Sequence, residues 1–223
     1  MAKEYHFRLP VTEERMRELH IGDLVYLTGI VITMRDISHR KAVDMLEAGE
    51  RLPVDFTNGA LWHCAPIVRQ KEDGKWEAVA AGSTTSSKFS KLGAELIKKL
   101  QIRCTIGKGT MFPPTVDAME EVGAVFLNAT GGAAAMYACQ IKEVVDVFWT
   151  ELGLPEALWV LRVEELGPFI VGIDSHRHSL FEEVGAICRK NLKQVYEDSK
   201  LSPDYTYTYL PKRVMASARA KKD

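Results

Sequence analysis

The chain has 223 residues, of which 46% are hydrophobic and 26% charged, an ordinary composition for a globular protein with one well-buried core. A formal net charge of -1 gives no global field that would attract a polyanion, so nucleic acid and anionic membranes are not expected partners. The longest apolar segment, residues 24–34, is too short to cross a bilayer, and the start of the chain has no apolar targeting stretch. These features predict a cytoplasmic protein.

The first third of the chain predicts a helix, a long strand and a second helix. The first helix is expected around residues 12–19, and the β-branched run of residues 23–34 predicts the strand. Asp36 resembles the N-cap of the following helix, which has Ala42 and Met45 on its apolar side.

The next segment predicts a hairpin and a helix. Residues 60–68 and 76–81 predict two strands, and the Asp73-Gly74 pair between them favours a tight antiparallel turn. Residues 86–100 predict a helix that packs on the core. Its apolar face contains Phe89, Leu92, Leu96, Ile97 and Leu100.

From residue 102 onward, strands and helices alternate in a way that favours parallel neighbours. Strands are expected at residues 102–106 and 124–128, with a helix between them that opens at Pro113 and runs to Val122. This succession, together with the hairpin before it, predicts an α/β fold with a mixed sheet.

The last part of the chain predicts a second hairpin, with strands at residues 157–163 and 168–173, and a closing helix at residues 180–195. We expect a single domain over residues 1–210. Residues 211–223 form a basic tail that is predicted to be disordered.

The four cysteines lie far apart in the sequence, at Cys64, Cys104, Cys139 and Cys188. They form neither a CxxC pair nor the close spacing that is typical of a zinc site or an iron–sulfur cluster. The favoured interpretation is that they are small buried hydrophobic side chains in a reducing compartment. No metal ligand is therefore expected from this chain.

An anion-binding group is predicted where the long strand ends, a position at which α/β sheets commonly bind ligands. Arg35 leaves that strand end and could meet a carboxylate with its planar guanidinium. Asp36 could orient Arg35, although helix capping is the favoured reading of this aspartate. His39 could face a ligand or could be a neutral structural histidine.

Two further places have similar features. Residues 82–88 form a hydroxyl-rich turn at a helix start that includes Thr84, Thr85 and Lys88, and these hydroxyls could bind an anion or be redundant helix caps. Lys108 stands between Gly107 and Gly109, but the glycine spacing is not that of a nucleotide-binding loop. Three cations without a basic surface better match a small dianion, such as a dicarboxylate.

At these residues the sequence resembles the β subunit of L-tartrate dehydratase, which is equivalent to the carboxy-terminal domain of class I, iron–sulfur fumarases. The similarity extends from about Ile21 to Leu180. The segments that carry it are Gly22–Gly29, Arg35–Arg40, Ala65–Val68, Thr84–Ser86, Gly107–Gly109, Trp149–Trp159 and Ile173–His176.

The resemblance implies a swivelling β/β/α domain and a reversible loss of water from a 2-hydroxy dicarboxylate, malate or tartrate. It also implies a [4Fe–4S] cluster that is held by three cysteines of a separate alpha subunit. The chain would then be inactive alone, in a hetero-oligomer that could be a dimer of heterodimers. The alternative is a non-catalytic anion-binding or regulatory module that retains the fold.

By the same resemblance, each candidate residue has an expected role. Thr84 and Lys108 are expected to be catalytic, and Asp36 and His39 to be supporting. The expected substrate-binding residues are Arg35, Thr85, Lys88, Gly107 and Gly109.

Three positions depart from the family pattern. Lys88 replaces an arginine, which keeps the charge but loses bidentate geometry. Thr110 replaces a second glycine, and Arg177 stands where glycine is common.

Overall fold

The computed structural model describes residues 2–202, so the predicted tail at residues 211–223 lies outside the described part of the chain. The chain divides into two units, of which the first ends at Glu182 and the second begins at Glu183. All the described strands belong to the first unit. A single domain over residues 1–210 stays a prediction.

The secondary structure confirms the predicted α/β fold with a mixed sheet. The described strands are β1 (Glu4–Arg8), β2 (Leu24–Thr33), β3 (Ala60–Trp62), β4 (Cys64–Gln70), β5 (Trp76–Ser83), β6 (Cys104–Gly107), β7 (Val125–Asn128), β8 (Ile141–Phe148) and β9 (Leu158–Ile173). The described helices are α1 (Glu13–Arg17), α2 (Asp36–Glu47), α3 (Ser90–Leu100), α4 (Pro113–Val122), α5 (Ala134–Gln140) and α6 (Leu180–Asp198). Short 3-10 turns lie at Ser86–Phe89 and Thr150–Leu152.

The main sheet closes on itself. β2, β3, β6 and β7 pair in parallel in that order, as the alternation of strands and helices predicts. β9 is antiparallel to both β7 and β2 and so joins the two ends of this row into a ring. β1 and β8 extend the sheet outside the ring, on β2 and β9 respectively. The carboxyl ends of the parallel strands therefore lie at one rim.

The predicted second hairpin is wrong, because residues 158–173 form the single strand β9. Glu165 and Gly167 do have turn-like backbone conformations, with φ angles of 49° and 159°. It produces bulges in the pairing with β2 rather than a reversal of the chain. The backbone N–H of Glu165 donates to the Thr28 hydroxyl over 3.0 Å, which secures the irregular segment to β2.

The first hairpin is correct in its turn but not in its first strand. β4 and β5 pair antiparallel as a separate two-stranded sheet. The predicted strand at residues 60–68 is divided at His63, because its first part, β3, joins the main sheet between β2 and β6. The chain thus passes from one sheet to the other at a single buried residue.

Two hydrophobic cores cover the two faces of the main sheet. The first lies inside the ring, where Trp62, Tyr137 and Trp159 are fully buried. The second lies between the sheet and the helices α2, α3 and α4, and it includes Leu96 and Ile97 from the predicted apolar face of α3. Burying one such leucine contributes roughly 1.5–3 kcal/mol, so both layers stabilise the sheet that carries the strand ends.

Three described elements were not predicted from the sequence: β1, α5 and β8. The predicted closing helix is present as α6, none of whose residues is buried. Among the helices of residues 2–202, none combines the length and the apolar character that crossing a bilayer requires.

Candidate functional site

The hydroxyl-rich turn and the glycine-flanked lysine, which are separate in the sequence, lie side by side. The turn follows β5, and Lys108 follows β6. The backbone N–H of Lys108 donates to the Thr84 carbonyl over 3.3 Å, and the N–H of Ser86 donates to the Lys108 carbonyl over 3.0 Å. Thr85 and Lys108 also form a parallel bridge. The turn that carries both threonines is therefore held directly against the lysine loop.

His63 connects these two loops to the main sheet. Its backbone N–H donates to the Ile106 carbonyl over 2.8 Å, and its carbonyl accepts the N–H of Thr84 over 2.8 Å. Sequence reasoning did not select this residue. Its one sequence signal is a histidine within a run that otherwise reads as an apolar strand, which is a weak signal because a buried histidine is not rare.

Arg35 leaves the sheet at the same rim. The N–H of Met34 donates to the Trp62 carbonyl over 3.0 Å, which aligns the end of β2 with the end of β3. β2 and β6 are the two neighbours of β3. Adjacent strands lie about 4.8 Å apart, so the backbones at Arg35 and Lys108 are separated by about 10 Å. Long cationic side chains at these two points can reach one small ligand.

Four polar side chains at this rim have no partner within residues 2–202. The ammonium groups of Lys88 and Lys108 are exposed, and the hydroxyls of Thr84 and Thr85 are half-buried. Thr85 is the N-cap of the 3-10 turn, but its side chain makes no cap hydrogen bond. The reading of these hydroxyls as redundant caps therefore does not describe Thr85. These groups are free to bind a ligand.

Arg35 is oriented by a carboxylate that sequence reasoning missed. Its Nε atom lies 3.8 Å from Oε1 of Glu156 and has no hydrogen-bond partner in the described structure. Glu156 is 13% exposed, and its other oxygen accepts the N–H of Ile37 over 2.8 Å. Glu156 belongs to a segment that carries the family resemblance, but nothing local in the sequence connects it to Arg35.

The predicted N-cap at Asp36 is wrong by one residue. Helix α2 begins at Asp36, and Arg35 is its N-cap. The Ser38 hydroxyl accepts the backbone N–H of Arg35 over 2.8 Å. Asp36 lies exposed in the first turn, where its charge is favourable to the helix dipole. Its carboxylate is 3.5 Å from the Arg35 guanidinium, so the orienting role stays a prediction.

His39 is fully buried, so its ring does not face a ligand in this conformation. Its Nδ1 donates to the Arg35 carbonyl over 2.7 Å. Burial lowers the pKa of His39 from 6.5 to about 4, and the imidazole is therefore neutral at physiological pH. This geometry favours the structural reading of the two that the sequence leaves open.

Glycine is required on each side of Lys108 for a different physical reason. Gly109 has a φ of 78°, a left-handed conformation that glycine adopts without strain. Gly107 is buried, and a Cβ atom there would overlap the hydroxyl of Ser86. Glycine at 107 is therefore needed for close packing of the turn against the end of β6.

The four cysteines do not share one environment: Cys139 and Cys188 are exposed, so the prediction that the cysteines are buried hydrophobic side chains is wrong for these two. Cys64 and Cys104 are buried in the core, and burial raises the pKa of both thiols, that of Cys104 to about 12. A cluster needs thiolates, which these environments disfavour. In residues 2–202 no group of three histidine, cysteine, aspartate or glutamate side chains is placed to hold a metal.

The predicted site residues do not line a groove that the structure has elsewhere on its described surface. That groove has a volume of about 480 Å³ and lies between β5, α5 and β8. At the rim, Lys88 and Lys108 are exposed, whereas Arg35 and Thr84 are half-buried.

A family described as Fumarase C-terminus matches residues 2–184. The match covers most of the chain, including all described strands, and the chain belongs to this family. The family assignment confirms the resemblance that the sequence motifs indicate.

Named relatives agree with this assignment. The L(+)-tartrate dehydratase subunit beta of Escherichia coli strain K12 is 39% identical over 174 residues, which cover 78% of this chain and 85% of that protein. A putative subunit of the same name from Methanocaldococcus jannaschii is 40% identical over 195 residues, covering 87% and 95%. A putative class I fumarate hydratase from Geobacillus stearothermophilus is 41% identical over 188 residues, covering 84% of this chain but 35% of that longer protein. These relatives are named as hydro-lyases.

Proposed function

We propose that this chain is the beta subunit of an iron–sulfur-dependent hydro-lyase that reversibly dehydrates a 2-hydroxy dicarboxylate. The substrate is either malate, which gives fumarate, or tartrate. The chain supplies carboxylate-binding and proton-transfer groups, and it is active in complex with a cluster-bearing alpha subunit. The main support is that groups from three distant sequence segments lie at one rim of the sheet: Arg35 beside Glu156, and the lysine ammonium groups and threonine hydroxyls without a partner in residues 2–202.

The cations of this chain suit the two carboxylates of the substrate. Arg35 presents a planar guanidinium that can bind one carboxylate with two parallel hydrogen bonds. Lys108, on the other side of β3, carries a charge for the second carboxylate, and Lys88 adds a third cation. Each charge-assisted hydrogen bond contributes roughly 1.5–3 kcal/mol. Two or three of them are enough to orient a small diacid.

Thr84 is the candidate for proton transfer at the carbon beside a carboxylate. A threonine hydroxyl is a poor base at its ordinary pKa, so it needs a neighbouring positive charge to stabilise the alkoxide. Lys108 is the nearest candidate, since its backbone N–H is bonded to the Thr84 carbonyl over 3.3 Å. We therefore assign catalytic roles to Thr84 and Lys108 and binding roles to Arg35, Thr85 and Lys88.

We assign the metal centre of the proposed enzyme to the partner chain, since Cys64 and Cys104 are buried thiols and residues 2–202 contain no group of three side chains placed to hold a metal. A [4Fe–4S] cluster held by that chain would supply a Lewis acid for the departing hydroxyl. The open rim at Arg35 and Lys108 is the surface that the alpha subunit would cover. The proposed assembly is a cytoplasmic hetero-oligomer.

A substrate panel tests the proposed function. The chain is co-expressed anaerobically with a companion chain that carries three cluster cysteines, and the pair is assayed with malate, fumarate, both tartrates and mesaconate. We expect turnover of at least one 2-hydroxy dicarboxylate by the pair. Saturable diacid binding without turnover of any of them would instead support the non-catalytic module.

A further inference from the structure

Two histidine rings lie buried against each other beneath the rim. The ring centres of His39 and His63 are 5.1 Å apart, with an angle of 54° between the planes. Phe89 packs on both, at 4.6 Å from His39 and 4.5 Å from His63. Both histidines are fully buried, so each ring nitrogen needs a partner within the protein to offset its lost hydration.

The Nδ1 atoms of both rings have partners that belong to the candidate site. Nδ1 of His39 lies 2.7 Å from the Arg35 carbonyl oxygen, and Nδ1 of His63 lies 2.8 Å from the Ser86 hydroxyl. The Nε2 atom of each ring is buried and has no hydrogen-bond partner in the described residues. The pair therefore connects the N-cap of α2 to the threonine turn.

The tautomer of His39 follows from its partner, whereas the Ser86 hydroxyl can either donate to or accept from His63. A carbonyl oxygen can only accept, so the proton of His39 is on Nδ1 and its Nε2 is a bare acceptor. Burial lowers the pKa of both rings, which makes both neutral. Neither Nε2 has a hydrogen-bond partner, so only the repulsion between two neighbouring lone pairs selects the tautomer of His63, and it favours the proton on Nε2. In that tautomer the Ser86 hydroxyl donates to Nδ1 of His63.

We propose that His63 and His39 form a neutral imidazole pair, ordered by the Ser86 hydroxyl and the Arg35 carbonyl, which fixes the threonine turn relative to Arg35. His63 is a positioning residue in this arrangement. The absence of a side chain at Gly107 leaves room for this arrangement. A Cβ atom there would overlap the Ser86 hydroxyl and lie 3.2 Å from Nδ1 of His63. The kinetic consequence rests on the proposed function, whereas the tautomers do not.

The tautomers are tested by long-range ¹H–¹⁵N spectra of the full chain, which contains six histidines. We expect two rings that stay neutral from pH 8 to about pH 5, one protonated on Nδ1 and the other on Nε2. Ser86→Ala should shift the resonances of the Nε2–H ring, whereas Ser87→Ala, the matched control, should leave them unchanged. The proposal would be overturned if both rings carried their proton on Nδ1, or if either His39 or His63 became charged near pH 6.5.

The positioning role is tested in the assembled enzyme with its preferred diacid. Ser86→Ala and His63→Leu should each lower kcat/KM about tenfold. The double variant should be no less active than the less active of the two single variants, because each substitution breaks the same hydrogen-bonded unit. His63→Asn, which keeps a polar atom near the position of Nδ1, should recover most of the loss. The shape of the pH profile should not change, since the pair is neutral throughout.

Losses that multiply in the double variant, or an Asn variant as poor as the Leu variant, would refute the positioning role. If His63→Leu does not fold, the positioning role is tested by comparing kcat/KM of the Ser86→Ala variant with that of the Ser87→Ala control. If the wild-type pair turns over no diacid, the proposed function fails, and the histidine spectra still decide whether the imidazole pair exists.

Discussion

The two ends of β2 both carry clusters of charged and histidine side chains, but they differ in how their polar groups are used. At the amino end, Asp174 ties the turn after β9 together with internal hydrogen bonds, although the buried Ser175 hydroxyl has no partner in the described residues. The buried carboxylate of Asp174 accepts the backbone N–H groups of Ile21, His176 and His178 at 3.2, 3.0 and 3.0 Å. Nε2 of His176 is also paired, with the Arg17 carbonyl at 2.9 Å.

At the carboxyl end, the lysine ammonium groups and the threonine hydroxyls are free within residues 2–202. Polar groups that are satisfied internally contribute to stability, whereas free cations and hydroxyls held on rigid strand ends have capacity for a ligand. Both clusters lie in segments that resemble the same family. A motif of this kind therefore indicates a binding function when its polar groups have no hydrogen-bond partner within the protein.

The largest effect is expected from removing a cation at the carboxyl end. Arg35→Ala or Lys108→Ala should lower the turnover of the assembled enzyme by roughly 10²–10³, the usual loss for one preorganised charge-stabilising donor. Lys75→Ala, which removes an exposed lysine from the turn between β4 and β5, is the control and should retain normal kcat. Near-normal kinetics in both site variants would place the active site elsewhere.

The opposite pattern is expected at the amino end. Asp174→Ala leaves three backbone N–H groups without their acceptor, and each unsatisfied group costs about 1–3 kcal/mol. We expect the free energy of unfolding to fall by about 3 kcal/mol or more in urea denaturation, with KM unchanged in the folded enzyme. Asp146→Ala, at an exposed carboxylate of β8, is the control. A raised KM without loss of stability would give Asp174 a functional role and end the contrast.

The buried imidazole of His39 should make stability depend on pH. Its pKa is about 4 when folded, against 6.5 in the absence of burial, so the unfolded chain binds the proton first as pH falls. Its contribution is fully present above about pH 6.5 and is lost progressively down to about pH 4, by up to ~3 kcal/mol. His39→Phe, compared with the exposed-site control His20→Phe, should flatten this part of the unfolding curve. An unchanged slope would contradict a neutral, buried His39.

A smaller effect is expected at Lys88, where the family pattern has arginine. Lys88→Arg restores a guanidinium that can bind a carboxylate with two hydrogen bonds, so KM for a dicarboxylate should fall about fivefold with kcat nearly constant. Lys91→Arg, at an exposed residue of α3, is the control. A rise in KM would indicate that the site is shaped for a different substrate.

The smallest effect is expected at Arg177, which has a φ of 71° where the family commonly has glycine. Arg177→Gly relieves a left-handed conformation that costs roughly 1–2 kcal/mol. It also removes exposed ion pairs with Asp117 and Glu120, which are worth about 0–1 kcal/mol each. We expect a net change in unfolding free energy of less than about 1 kcal/mol and unaltered kinetics. A large kinetic change would make this turn part of the site.

Much of the fold follows from local sequence patterns. The β-branched run of β2, the apolar face of α3 and the proline start of α4 each fix their element within a few residues. The strand β9 could not be predicted, because its bulges have the local signature of a turn and its continuity depends on pairing with β2, β7 and β8. β8 was missed because two register shifts disturb its alternation.

The candidate site divides in the same way. Arg35, Thr84 and Lys108 could be selected because strand ends and loop residues are visible in the sequence. His63 and Glu156 could not, because their contacts are distant along the chain: His63 meets Ser86, 23 residues away, and Glu156 meets Ile37, 119 residues away. Long-range hydrogen bonds decide which polar residues support the rim, and they leave no local pattern.

The central claim is that this chain holds the diacid while a second chain holds the iron, and a mixing experiment tests it most directly. The two chains are purified separately under anaerobic conditions and assayed alone and after mixing, with wild-type chain or with its Lys108→Ala variant. The account predicts no turnover by either chain alone, recovery of activity on mixing, and a loss of roughly 10²–10³ in the variant mixture. Turnover by this chain alone without iron, or full activity of the variant mixture, would contradict it.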